Sequence, residues 1–146
     1  MEKRAHFQRL ERMYRSGAIH QHFPDFEFHL EEGKCTITTT VDESYHHAAG
    51  GMHGLIYFKL LDDAGYFAAS TLEKERFLLT GKLDLQLLRP VENGILKAEG
   101  EFISRKEKVY ISRAALYHND RLVAKANLEL HIGPTLLDSI DSYSKD

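Results

Sequence analysis

Between Gly54 and about Leu72 the chain reads GLIYFKLLDDAGYFAASTL, with helical character and hardly a polar side. Leu55, Ile56, Tyr57, Phe58, Leu60, Leu61, Ala64, Phe67 and Ala68 leave no room for the wide solvent face of a surface helix. A helix that is hydrophobic on most sides sits buried in its domain. The exceptions, Lys59, Asp62, Asp63 and Tyr66, fall at i, i+3, i+4 and i+7 and form one polar stripe along the rod. With 146 residues the chain amounts to about one domain. One small domain has difficulty enclosing such a rod alone, so the sequence predicts a homo-oligomer, at least a dimer.

The segments around this rod read mostly as strand. Phe7, Leu10 and Tyr14 recur at helical spacing, which predicts an amphipathic helix over 3–16 that stops at Gly17. Phe26, Phe28 and Leu30 alternate with polar residues, Glu32-Gly33 offers a turn, and Cys35, Ile37 and Thr39 continue the alternation toward Val41. That is a hairpin. Beyond the buried helix, Leu83, Leu85 and Leu87 alternate up to Arg89-Pro90, and Asn93-Gly94 is a strong hairpin-turn signal. Strands follow over Leu96–Phe102, Val109–Tyr117 and, after Asn119-Asp120, Leu122–Leu130. The expected order is helix, two strands, buried helix, then a four-stranded antiparallel meander, an α+β domain. The tail over 134–146 is short, polar and acidic, and is expected to be only partly ordered.

Composition excludes several classes of function. Nineteen Lys and Arg against 22 Asp and Glu give a net charge of −3, which is no footprint for nucleic acid. Residues 1–16 do carry Lys3, Arg4, Arg9, Arg12 and Arg15 against Glu2 and Glu11, but strong membrane anchoring usually needs a second signal. The expectation is a solvated helix laid on the domain, with neither membrane nor nucleic acid as partner. A single cysteine, Cys35, cannot form an internal disulfide, and no secretory-type apolar stretch opens the chain. Both features suit a cytoplasmic setting. P-loop, dinucleotide-binding and nucleophile-elbow motifs are all missing from the sequence.

Reactive side chains concentrate at His46-His47-Ala48-Ala49-Gly50-Gly51-Met52-His53-Gly54, where a loop enters the buried helix. Helix N-termini present unpaired N–H groups suited to an anion or a developing oxyanion. Asp62 follows two turns into the helix, and a carboxylate there is costly unless it is paired or used. As a surface residue it would pair with Lys59 at i,i+3; Asp63 is the better i,i+4 partner for that lysine. His46, His47 and His53 could join Asp62 as metal ligands, but no tight histidine pair supports that and no metal is expected. Thr80 on a strand can reflect β-propensity alone. Arg89, Arg105, Lys106, Lys108 and Arg113 could meet phosphates or simply edge a solvated hairpin.

At HHAAGGMHGLIYFKLLDDAGYFAA, TGKLDLQLLRP and RLVAKANLELH the sequence resembles the hotdog-fold acyl-CoA thioesterases, in particular the phenylacetate-pathway (PaaI-like) branch. The family motif runs Asn, five residues, His-Gly-Gly, an Asp nine positions after the His, and a Ser or Thr ten before a Pro. Here His53-Gly54 supplies the His-Gly, Asp62 the Asp and Thr80 the hydroxyl before Pro90. His47 stands at the Asn position and Leu55 at the second Gly. The resemblance covers roughly residues 26–132.

It implies a single hotdog-like domain, an antiparallel sheet wrapped around one central helix with an extra N-terminal helix. It also implies hydrolysis of an acyl-CoA or related acyl thioester without cofactor. In that scheme the Gly54 N–H polarises the carbonyl, Asp62 is base or nucleophile, and Thr80 arrives from the partner subunit of a dimer or tetramer. His47 would contact the thioester or the attacking water. His53, Leu55, Arg89 and Arg105 would serve substrate binding. The rival reading is a non-catalytic acyl-ligand binding protein on the same fold.

Overall fold

In the computed structural model, which describes residues 2–145, the chain forms α1 (Glu2–Ser16), β1 (Glu27–Glu31), β2 (Lys34–Thr40), α2 (Gly54–Ser70), β3 (Arg76–Leu87), β4 (Ile95–Lys106), β5 (Val109–His118), β6 (Arg121–Leu136) and the short α3 (Asp141–Ser144). The strands make one antiparallel sheet in the order β1-β2-β4-β5-β6-β3. Helix α2 packs against all six strands. Alternation explains the contact: Leu96, Ala98 and Gly100 of β4 are buried while Lys97, Glu99 and Glu101 are exposed, so one face meets α2 and the other meets solvent.

Most of the turns follow the sequence. Gly33 takes the left-handed φ of 77° between β1 and β2, and Asn119 and Asp120 are both left-handed between β5 and β6. One topological expectation fails. Strand β3 does not begin a meander; it lies at the far edge of the sheet, paired with β6, and the meander is β4-β5-β6. Asn93-Gly94 accordingly closes no β3–β4 hairpin. Gly94 is left-handed, at φ 100°, and its carbonyl accepts from Val41 N–H at 2.9 Å beside β2. Turn chemistry reports a local reversal of the backbone and says nothing about which strand will be the neighbour.

Residues 88–94 instead carry the chain past the N-terminal end of α2. The Leu88 and Arg89 N–H groups donate to Val123 O, Tyr57 OH donates to Arg89 O at 3.2 Å, and Met52 N–H donates to Val91 O at 2.7 Å.

The second correction concerns the tail. Strand β6 runs on through Gly133-Pro134 to Leu136, and Leu137 and Tyr143 are buried. Tyr143 and His6 lie 2.7 Å apart, His6 Nε2 is 2.8 Å from Ser70 O, and Arg12 donates to the carbonyls of Ser142 and Tyr143. The segment is docked on α1. Two large apolar side chains separated by polar residues are too sparse a pattern to announce this. The basic residues of α1 also find partners within the molecule: Lys3 with Glu32 at 3.1 Å, and Arg15 with Glu11 at 2.9 Å. No helix among the described residues is long and apolar enough to cross a membrane.

Candidate active site

The entry to α2 is built from the histidine-glycine loop. His53 has extended backbone and its Nδ1 accepts from Leu55 N–H at 2.9 Å, so it is the N-cap. His53 therefore shapes the helix start. Ile56 N–H is satisfied by His53 O, and no partner is recorded for Gly54 N–H among the described residues. That N–H borders a shallow cleft of about 340 Å³ lined by His47, Met52, Tyr57, Leu87, Arg89 and Pro90. Sequence reasoning passed over Tyr57 and Met52. Tyr57 lies one helical turn beyond Gly54, a spacing that could have marked it.

His47 closes the loop. Its N–H donates to Gly51 O at 2.9 Å, its carbonyl accepts from Gly50 N–H, and its Nδ1 accepts from Ala49 N–H at 3.1 Å. A Cβ on Gly51 would sit 3.0 Å from the imidazole, so glycine lets the ring lie on the backbone. The ring remains exposed at the cleft. His46 is turned elsewhere, with Nε2 2.6 Å from Glu92 O. Leu55 projects from the first turn and is 60% exposed.

Two turns further along α2, Asp62 is half-buried and Thr80 Oγ1 donates to its Oδ1 at 2.9 Å. This threonine belongs to the same chain as Asp62, which corrects the expectation that it would come from a partner. The reason lies in β3. From Leu83, which pairs with Leu128 toward the helix, strict alternation would send Thr80 to the outer face. A bulge between Thr80 and Lys82 inserts Gly81 and reverses that parity. Thr80 then pairs with Leu130 and faces α2.

Burial raises the Asp62 carboxyl above its ordinary range, and the neighbouring Asp63 adds to the rise. The Thr80 hydrogen bond and Lys59 act against it. Lys59 is itself committed elsewhere. Its Nζ lies 2.7 Å from Asp63 Oδ2, and Tyr14 OH donates to that same oxygen at 3.1 Å. Asp63 is thus the buried, structural carboxylate and Asp62 the accessible one.

Arg89 is exposed at the rim of the cleft. Arg105 is not brought there. It donates to Glu107 O and to Tyr110 OH, and Tyr110 bonds Glu73 just beyond the C-terminal end of α2. Seventeen helical residues separate the two ends by about 25 Å at 1.5 Å per residue. Among the described residues, no three His, Cys, Asp or Glu converge as metal ligands.

No family model matches the chain. A Saccharolobus solfataricus protein named "Putative esterase SSO1253" is 30% identical over 98 residues, 66% of this chain and 65% of that protein, so the match spans just under two thirds of the relative's length. Among solved structures, the PaaI protein of the Escherichia coli phenylacetic acid degradation operon superposes with a TM-score of 0.81. It is 18% identical, covering 92% of this chain and 97% of its own. A Pseudomonas aeruginosa thioesterase, solved as a point variant, gives 0.76 at 17% identity over 88% of this chain and 94% of its own. A Haemophilus influenzae thioesterase gives 0.73 at 20% identity over 84% and 87%. With a six-stranded antiparallel sheet curled about one helix, the chain has the hotdog fold that these structures share.

Proposed function

We propose that the chain hydrolyses an acyl thioester, an acyl-CoA or a close relative, with Asp62 as the reacting carboxylate. One observation carries this reading: a half-buried carboxylate whose Oδ1 is held by Thr80 while its usual helical cation, Lys59, is bound to Asp63. Such a group is oriented and poorly neutralised, as a base or nucleophile must be. The esterase relative and the thioesterase structures sharing the fold point the same way.

Gly54 and Asp62 are eight residues apart on α2, about 12 Å along the axis. One thioester carbonyl cannot meet both in the same chain. We infer that a site is assembled across a homodimer, with Asp62 and Thr80 from one subunit and His47, His53 and Gly54 from the other. The exposed apolar side chains favour such an arrangement. Leu55 and Phe58 lie on α2 in line with Asp62, and Leu87 and Leu88 lie at the end of edge strand β3.

In the reaction, Asp62 attacks the thioester carbonyl carbon or takes a proton from the water that does. The carbonyl electron pair moves onto oxygen, which accepts from the Gly54 N–H. Collapse breaks the C–S bond and expels the thiolate, which takes up a proton; by the water route the acid is released in the same collapse, and by direct attack water then hydrolyses the mixed anhydride on Asp62 to release the acid. In this reading His47, at the edge of the cleft, touches the thioester or the water, and Arg89 meets phosphates of the carrier. Leu55 adds apolar bulk beside the carbonyl. No cofactor takes part. Release of free thiol from a panel of short, long and aromatic acyl-CoAs tests the proposal. Saturable binding of those compounds without thiol release would favour a non-catalytic acyl-binding protein.

A further inference from the structure

We infer that Tyr66 is a positioning residue that aims Thr80 at Asp62, by pinning the Leu78–Thr80 segment of β3 to helix α2. Tyr66 lies one turn beyond Asp62 on α2, and its buried hydroxyl donates to Leu78 O at 2.7 Å. Leu78 is two residues before Thr80.

The need for such a pin comes from the strand itself. The pairing of β3 with β6 is broken twice, between Arg76 and Leu78 and again between Thr80 and Lys82. Leu78, Leu79 and Thr80 therefore form a three-residue run in register with Ile132, His131 and Leu130, isolated between two irregularities. The rest of the ladder does not dictate where this run sits relative to α2. Two glycines let this part of β3 lie close against β6. A Cβ on Gly133 would lie 2.8 Å from Phe77 O, and a Cβ on Gly81 would collide with the His131 ring. Tyr66 is the hydrogen bond recorded between α2 and this run besides the Asp62–Thr80 contact it supports. The ring is packed against Phe67 and Phe77, with centroids 4.9 and 5.6 Å away, so the hydroxyl has a fixed origin. Burial keeps the phenol protonated and hence a donor.

The inference rests on Asp62 being the reacting carboxylate, but its test does not need activity. The groups that bear on Asp62 are Lys59, Asp63 and Tyr66 from its own helix and Thr80 from β3. Because the Thr80 hydrogen bond favours the ionised carboxylate, losing it moves the Asp62 titration upward. The Asp62 carboxyl carbon is followed by NMR across pH in the full-length protein, in Tyr66→Phe, Thr80→Val, the double variant and Tyr110→Phe. Tyr66→Phe keeps the ring and removes the donor. The expected result is an upward shift in Tyr66→Phe, no further shift when it is added to Thr80→Val, and no shift in Tyr110→Phe, which loses a tyrosine hydroxyl elsewhere. Gly133→Ala pushes on the same run from β6 and is expected to shift the titration in the same direction. An unmoved titration in either folded variant, or additive shifts for Tyr66→Phe and Thr80→Val, overturns the assignment. Thiol release measured separately decides the hydrolysis reading.

Discussion

Gly100 on β4 lies directly against the backbone of Ala64 on α2, so close that a Cβ at position 100 would collide with the Ala64 carbonyl. The sheet approaches the helix to backbone contact at this point, one turn or less from Asp62 along α2. Gly65, next along the helix, instead faces the tip of Leu128, with a would-be Cβ 2.7 Å from Cδ1. A flexible side-chain end can yield where a backbone carbonyl cannot. Gly100→Ala is therefore expected to cost about 1–3 kcal/mol, toward the upper end of overpacking effects. Gly65→Ala should stay within about 1 kcal/mol of wild type, since gained helix propensity offsets the crowding. Urea unfolding of the two variants checks the contrast; equal losses would contradict it.

The adjacent carboxylates should separate cleanly. Asp62→Asn keeps the shape and removes the base or nucleophile, and is expected to lower hydrolysis by about 10²–10⁴-fold. It should not destabilise the fold at neutral pH. Asp62 has a raised folded pKa, so the native state holds its proton more tightly than the unfolded chain does. Stability then falls as pH climbs from the unfolded value, about 3.9, to the raised folded one, and the penalty persists above it. The amide escapes that penalty. Asp63→Asn should do the opposite, leaving catalysis and weakening the buried contact with Lys59 and Tyr14 by on the order of 3 kcal/mol. Thiol release and melting of both variants give the answer, and loss of activity confined to Asp63→Asn would reverse the assignment.

How much of this was legible in the sequence depends on the range of the signal. The start of α2, the Lys59–Asp63 pair and the turns at Gly33 and Asn119-Asp120 are set by residues within a few positions of one another, and they were readable. The cap that His53 makes on the helix is equally local, yet the resemblance assigns His53 to substrate binding instead. Strand β3 at the far edge was not, because its partner β6 is chosen by the packing of the whole sheet. The direction of Thr80 was hidden by a one-residue bulge, since TGKLDLQL shows regular alternation up to the point where Gly81 breaks it. His6 was hidden among basic neighbours, although it is one of the buried side chains of α1.

The exposed apolar strip on α2 and β3 predicts the assembly state. Leu55, Phe58, Leu87 and Leu88 are each more than 40% exposed in the single chain. Phe58→Gln removes the apolar ring from the middle of that strip without adding a charge one helical turn from Asp62. It is expected to yield folded monomer and to abolish hydrolysis, because Gly54 and Asp62 of one chain cannot share a carbonyl. Light scattering together with thiol release tests both halves. A wild-type monomer at micromolar concentration that is fully active would refute the shared site.

His6 makes the docking of the C-terminal segment depend on pH. Ser70 O accepts from His6 Nε2–H, which leaves Nδ1 to accept from Tyr143 OH; the neutral ring fits both contacts. Burial is the largest influence on His6 and lowers its pKa. In the unfolded chain the imidazole titrates near 6.5. Between that value and the lowered folded one, the unfolded state binds more protons, so stability rises with pH over this window. The contribution of His6 is complete above about pH 6.5 and declines as the solution is made more acidic. Protonation also places a donor on Nδ1, where Tyr143 OH already donates. The segment over 137–145 is therefore expected to lose hydrogen-exchange protection below that pH before α2 does. In His6→Gln, which can hydrogen-bond but does not titrate here, this acid-side loss should be reduced relative to wild type. Protection that falls identically in both proteins would show that His6 does not control the docking.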